Sequence, residues 1–543
     1  MIRKFYVTLF AFAVTLSGAM AQDYSTYAAL SNRVQALAKQ YPSLVKVKSL
    51  TQTLGNKDIW MITIGTGNTA EKPAIAVVGG VEGSHLLGVE LAMGFAEDLL
   101  AQSTTDSIKN LLNQQTFYVF PNMSPDATEQ YFAKLKYARS GNAKATDDDR
   151  DGKVNEDGFE DLNGDGEITM MRVEDPTGEW MTSAEDPRIM VKADVSKGEK
   201  GKYLLFTEGI DNDHDGAFNE DGEGGVAFNK NMSYNYPNFV SGSGEHMVSE
   251  KENRALLDFL FNAYNVYAVV SFGPYNNLSK PVSFNKAGVS KRIISSWYQD
   301  DVDVNQLVSK TYHQIIKEKN APETPNLHGD FADWAYFHYG RFSFSTPGWW
   351  VPQTKPDTTL KQKALTDKNG EANYLRWAQQ QKIEGSFTPW TVVKHPDFPN
   401  QKVEVGGVDP FVMMNPPYKM VPELVKEHTT FIEALAKMAP NLDVAHVKTE
   451  KLDDGITRIS LDVINTGALA TQTKVGEKTN WVKDIHVTLQ SNGQVLAGKA
   501  NQTIDAIVGY GSEPLSWLLK ASGKVTITIE SPANGKKTIS LNL

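Results

Sequence analysis

No cysteine occurs in the 543 residues, which excludes disulfides, thiol nucleophiles and cysteine-ligated zinc and leaves packing or bound ions to stabilise the fold. After the first twenty or so residues there is also no apolar run approaching the roughly 18 residues that a membrane-spanning helix requires. The early apolar run, Phe5 to Leu16, lies between Arg3-Lys4 and the small-residue motif Ala19-Met20-Ala21. That is the layout of a secretory leader, so residues 1–21 are expected to be removed and the mature chain to begin at Gln22, exported to the periplasm or secreted. An excess of positive charge is missing as well: the net charge is -11, which argues against a nucleic-acid partner.

What is present is size, apolar content and one concentrated acidic block. A chain of this length exceeds the range in which a single core keeps growing, so a large domain with a smaller one is expected. Asp147 to Glu223 holds 24 acidic and 8 basic residues, a net of 8 - 24 = -16, and leaves +5 for the rest of the chain. A local block of this kind suggests bound cations. Within it, Asp147-x-Asp149-x-Asp151-Gly152-x-x-Asn155-Glu156-Asp157-Gly158 recurs as Asp211-x-Asp213-x-Asp215-Gly216-x-x-Asn219-Glu220-Asp221-Gly222. Oxygen side chains at alternate positions, followed by a glycine that permits a sharp turn, can converge on one hard cation such as calcium. Asp161-Leu162-Asn163-Gly164-Asp165-Gly166 forms a third, shorter copy. None has a glutamate at position twelve, so Glu156 or Asp157, and Glu220 or Asp221, are the candidate bidentate ligands. Calcium is expected to be structural here, neutralising an insertion at 145–225 that would otherwise repel itself.

Along the chain, apolar spacing predicts a helix over Tyr24–Tyr41 and strands over Leu44–Leu50, Asp58–Ile64, Ala74–Val78 and Gln115–Phe120. Helices at Leu86–Leu100 and Asp106–Leu112 alternate with them, which is an α/β pattern. The stretch Gly79-Gly80-Val81-Glu82-Gly83-Ser84-His85 joins a strand to a helix. It therefore sits where open α/β sheets place ligands, beyond the carboxyl ends of their strands. Further on come a helix from Ser249 to Phe261, a strand over Val266–Phe272 and a strand-like Phe342–Thr346 that runs into Pro347-Gly348-Trp349-Trp350. Polar, proline-marked stretches at Lys355–Asn373 and His395–Pro417 read as long loops, with the aromatic pair more readily core than pocket. A helix over Val421–Met438 ends at Ala439-Pro440, a boundary beyond which short alternating runs predict a small β-sandwich over 441–543.

The turn at Glu82 and His85, with the segments after it, resembles the zinc metallocarboxypeptidases of the carboxypeptidase A type. The resemblance extends over roughly Asp23 to Pro440, so residues 22–440 are expected to form a carboxypeptidase-like domain. It implies a mixed sheet sandwiched between helices, interrupted by the calcium-loop insertion and followed by the β-sandwich. The family's zinc turn carries histidine and then, three residues later, glutamate; here Glu82 and His85 stand in the reverse order. Gly273 falls where the resemblance implies the last histidine ligand, and Pro347 where it implies the catalytic glutamate. Arg139 matches the arginine that polarises the scissile carbonyl. Asn229 and Lys230 match an asparagine-arginine pair that receives the substrate's terminal carboxylate, and Tyr275 is a candidate for substrate contact.

A catalytic zinc needs about three protein ligands, an open position and a base for the bound water. The expectation is therefore an exported carboxypeptidase-like protein, catalytically degenerate, that binds peptides by their ends, with zinc uncertain and calcium present. One alternative is an active metallohydrolase rearranged around Glu82 and His85. Another is a calcium-stabilised surface or adhesion protein that works through its β-sandwich.

Overall fold

The computed structural model describes residues 23–147, 152–184, 186–219, 222, 224–325, 327–354 and 369–543. The leader and the ion-ligand candidates Asp149, Asp151, Glu220 and Asp221 lie outside the described residues, as does most of the stretch read as a loop at Lys355–Asn373.

A six-stranded mixed sheet forms the centre of the larger part. Its order is Val45–Gln52, Asp58–Ile64, Thr116–Phe120, Ala74–Val78, Val266–Phe272, Phe342–Thr346. The first two strands form an antiparallel hairpin at one edge, the second pairs antiparallel with the third, and the remaining pairs are parallel. Four of these strands, all but the hairpin, are buried at every position, which fits the near-continuous apolar runs of Ala74–Val78, Thr116–Phe120 and Val266–Phe272; Phe342–Thr346 buries Ser343, Ser345 and Thr346 as well. One face is covered by the helices Tyr27–Gln40, Leu86–Ala101 and Val421–Lys437, the first of which buries Leu30, Val34 and Leu37 at helical spacing. The other face is covered by Lys251–Asn262 and Phe331–Phe337, with Trp334 and Tyr339 stacked at 5.5 Å. The expected mixed sheet between helices is the fold observed.

A second six-stranded sheet was not foreseen. It runs in the order Phe387–Val393, Val403–Val408, Met170–Glu174, Tyr203–Thr207, Trp180–Thr182, Met190–Lys192, antiparallel throughout. The acidic insertion supplies four of its strands, and the stretch around the expected His395–Pro417 loop supplies the other two. That reading is corrected: Val403 and Val405 pack on Met171 and Val173 in a small core. A buried ion pair, Arg172 to Glu404 at 3.0 Å, links the two contributors.

Beyond Ala439 two four-stranded antiparallel sheets face each other: Leu442–Lys451, Ile456–Asn465, Ser512–Lys520, Gln494–Ala497, and Asn501–Ile504, Ile485–Gln490, Lys524–Ser531, Gly535–Asn542. Alternate residues such as Ile459, Leu461, Val487, Leu489, Ile527 and Ile529 point between them and form one core. Among the described residues no helix is long and apolar enough to cross a membrane.

Candidate peptide-end site

The Glu82–His85 turn leaves the carboxyl end of the Ala74–Val78 strand and caps the Leu86–Ala101 helix, with His85 at the N-cap position but making no side-chain cap bond. The imidazole instead points into the protein and is 1% exposed. Its Nε2 lies 3.1 Å from the Pro347 carbonyl oxygen. The other ring nitrogen faces the Phe272 carbonyl but does not complete a hydrogen bond of ordinary geometry. His85 is thus held between the ends of two parallel strands. Burial drives its pKa down to about 4, so the ring is neutral at physiological pH.

Glu82 faces the other way, toward the loops. Burial raises its carboxyl pKa, opposed by a hydrogen bond from Ser140, the charge of Lys230 and the Gly83 backbone. The two metal-capable side chains of the turn thus have different neighbours: strand-end carbonyls for His85, and Ser140 and Lys230 for Glu82.

At the next expected position, Gly273 follows the Val266–Phe272 strand. A Cβ placed there would come within 2.4 Å of Val81 Cγ2, a separation that real Cβ atoms do not show. Val81, the residue before Glu82, occupies the space a third ligand's side chain would need. Pro347 is committed through its carbonyl to His85 and carries no titratable group. Among the described residues the only acidic or histidine trio with ligand atoms within 4.8 Å of one another is Asp211, Asp213 and Asp215, in the insertion. The residues at the turn therefore do not fit a catalytic zinc.

The remaining candidates gather around a different chemistry. Arg139 uses its guanidinium on main-chain carbonyls, Nε to Gly141 at 3.0 Å and an Nη to Asn142 at 2.5 Å, which orients its own loop. Asn229 is buried, donating to Asp330 at 2.8 Å and accepting from the Phe331 amide at 3.0 Å. Lys230 is exposed, with Nζ 3.3 Å from the Ser241 carbonyl oxygen. The 241–244 loop it touches forms one wall of a cleft of about 580 Å³ lined also by Lys144, Asp147, Val154 and Phe239, a size suited to a small ligand or a peptide end. Tyr275 hydrogen-bonds Asp333.

Asp330 and Asp333 are the part that sequence reasoning passed over. Asp330 caps the Phe331–Phe337 helix by accepting from the Asp333 amide at 3.0 Å, a signal legible as an Asp-x-x-Asp helix start. Burial pushes its pKa up to about 6, against its hydrogen bonds and with a smaller push from Glu82. Burial and then the Asp330 charge push Asp333 up to about 7. Burial thus holds both carboxyls above the usual carboxylate range. Trp349 and Trp350 are each 5% exposed and belong to the core. His328 and His338 bond Asn235 and Ser233 at 2.7 and 2.9 Å.

In the insertion, the first acidic loop is described only at its ends. Asp147 accepts from the Gly152 amide at 3.2 Å, and Glu156 lies 3.8 Å from Lys153. Asp157 is fully buried, and its two oxygens receive the amides of Asn212 and Asn219 from the other loop, at 3.2 and 2.7 Å. In the short copy Asp161 accepts from Gly164 at 2.7 Å and Gly166 at 2.8 Å, while Asn163 and Asp165 bond each other at 3.0 Å. Glu208, another residue not foreseen, is buried and accepts from Leu162 at 2.7 Å and Thr169 at 3.1 Å.

A mixed sheet covered by helices on both faces, with loops of charged residues beyond its strand ends, places the larger part of the chain in the α/β class. The chain belongs to the zinc carboxypeptidase family, whose pattern it matches over residues 30–349, more than half its length. Residues 441–542 match a family described only as a domain of unknown function (DUF8731). Carboxypeptidase D of Mus musculus is 26% identical over 132 residues, 24% of this chain and 10% of that protein. Carboxypeptidase E of Caenorhabditis elegans is 27% identical over 134 residues, 23% of this chain and 28% of that protein. The matched stretch thus spans about a tenth of the first relative and little over a quarter of the second. Among solved structures, the carboxypeptidase A from Helicoverpa armigera has a TM-score of 0.38 at 13% identity, covering 76% of this chain and 73% of the other. A thrombin activatable fibrinolysis inhibitor structure has a TM-score of 0.38 at 14% identity, covering 61% and 69%.

Proposed function

We propose that this chain is an exported carboxypeptidase-like protein that binds peptide ends without hydrolysing them. The observation that supports this most is the packing at Gly273, where a Cβ would stand 2.4 Å from Val81 Cγ2, so that a ligand side chain at this position would require Val81 to move. His85 is turned into the core and Pro347 carries no titratable group, so among the described residues the matched positions offer neither an open metal position nor the family's base for the zinc-water route. What remains is charge: exposed Lys230 touches a loop that walls a cleft and acts on Glu82, while Asp333 with Tyr275 lies beside Asp330. Lys230 is the group for a terminal carboxylate, and it keeps the charge of the family's arginine without its bidentate fork. The acidic side of the cluster suits the amino group of a peptide lying across it.

In this reading residues 22–440 form the binding domain and 441–543 an accessory β-sandwich. The carboxylate-rich loops of the insertion suit calcium as their counter-ion.

Peptide binding to the full chain tests the proposal, using one peptide in free, carboxyl-amidated and amino-acetylated forms. Amidation is expected to weaken binding, and so is Lys230→Ala, by roughly tenfold or more for a charged hydrogen bond in a partly shielded site. Affinity that ignores both caps and the lysine would show that this cluster does not hold peptide ends.

A further inference from the structure

The loop Asp211-Asn212-Asp213-His214-Asp215-Gly216 brings one carboxylate oxygen from each aspartate within 4.8 Å of the other two. Three like charges at such spacing repel unless a cation lies among them. Asp213 and Asp215 have some access to solvent, but Asp211 is only 8% exposed. Its Oδ2 accepts from the Gly216 amide at 3.1 Å, whereas its Oδ1 is buried and has no hydrogen-bond partner. A buried carboxylate oxygen without a donor is costly, and this one belongs to the same carboxyl group that meets the two other aspartates. A cation is the partner that satisfies it.

The backbone is shaped for the same purpose. Gly216 has φ 98 and Asn219 φ 60, and the corresponding Gly152 and Asn155 of the first loop have φ 97 and 57. The glycine and the asparagine of the two copies therefore share one backbone conformation, and in both the first aspartate accepts from the glycine amide five residues on.

We propose that this loop binds one calcium ion through Asp211, Asp213 and Asp215, and that the ion fastens the insertion to the rest of the second sheet. This rests on the calcium reading of the insertion and adds the ion's place and what it holds. Oxygen donors alone select a hard cation over zinc, and an irregular carboxylate-rich loop suits calcium better than magnesium, which demands a near-ideal small octahedron. The loop is a junction. Its Asn212 and Asn219 amides are held by Asp157 of the first loop, and the Asp211 amide donates to Asp397 at 3.2 Å. His395 lies 2.8 Å from the Gly209 carbonyl oxygen, and Phe218 stacks on Phe398. An ion here draws together segments near residues 157, 215 and 397.

The test uses full-length protein stripped of metal, with calcium alone as the titrant, followed by calorimetry and by thermal unfolding. Calcium is expected to bind and to raise the melting temperature; at a hundred times its dissociation constant it favours the folded state about a hundredfold. The double variant Asp213→Asn, Asp215→Asn keeps the side-chain acceptors that hold the Asp215 and Ala217 amides. It removes two charges, so it should fold in chelator as the wild type does and bind one calcium fewer per chain. No calcium binding by the wild type would overturn both this site and the calcium reading. Binding with unchanged stoichiometry in the double variant would overturn this site alone, placing the ion elsewhere in the insertion. An equal response to magnesium at equal concentration would overturn the choice of calcium.

Discussion

His85 stands where the resemblance implies a glutamate ligand, yet its side chain packs inward. The imidazole sits between the Phe272 and Pro347 carbonyls at the ends of two parallel strands. Its folded pKa of about 4 lies below the ordinary 6.5, and buried His428, whose Nδ1 lies 2.7 Å from the Leu424 carbonyl oxygen, shares the same shift. The sign follows from linkage. The unfolded chain takes up these protons near pH 6.5 and the folded chain only near pH 4, so their stabilising contribution is whole above 6.5 and is lost as pH falls to 4. Raised carboxyls oppose this over part of the range: Asp330 near 6 and Asp333 near 7 hold protons that the unfolded chain releases, so their burial costs least at low pH. A difference measurement isolates the histidine. Removing it by His85→Ala opens a cavity and lowers stability at every pH, but the variant's stability should fall less steeply between pH 6.5 and 4, by up to about 1.4 kcal/mol per pH unit. Parallel curves from urea unfolding across that range would show that His85 is not neutral in the folded protein.

At the scale of elements, the central sheet was legible because its strands are buried on both faces and flanked by amphipathic helices, which leaves an unmistakable pattern in Ala74–Val78 or Val266–Phe272. The second sheet was not, because its strands are short, partly exposed and drawn from stretches some 200 residues apart. Trp180–Thr182 has no buried residue at all. The candidate site divides along similar lines. Glu82, Asn229 and Lys230 could be found from local motifs, whereas the Val81 contact that closes the Gly273 position depends on two loops meeting in space. The junction with the carboxyl-terminal sheets was equally hidden. Asp301, 2% exposed on the Gln299–Ile315 helix, accepts from the Lys474 amide at 2.8 Å, the Val475 amide at 3.3 Å and the Tyr336 hydroxyl at 2.7 Å. It caps a helix that belongs to the far side of the junction. Asp301→Ala leaves these donors without their acceptor and should destabilise the protein by about 2–4 kcal/mol, read from the denaturant midpoint. An unchanged midpoint would mean that the junction does not depend on this carboxylate.

The whole molecule carries its charge unevenly, with -16 in the insertion against +5 elsewhere, and its ion chemistry divides in the same way. Carboxylate-rich loops in the insertion suit a hard cation, whereas at the turn His85 is buried against strand-end carbonyls and Val81 crowds the Gly273 position. On the proposed reading, this member keeps the fold of the zinc carboxypeptidases without their metal chemistry. The most direct measurement is the zinc content of the purified full-length chain after incubation with excess zinc and removal of unbound ion, alongside the Glu82→Ala, His85→Ala double variant. Any zinc retained by the insertion is common to both proteins, so the difference between them reports the turn. The account predicts no difference in zinc content and no release of carboxyl-terminal residues from peptides by either protein. One zinc per chain in the wild type, lost together with peptide cleavage in the double variant, would contradict it and establish Glu82 and His85 as ligands of a rearranged enzyme.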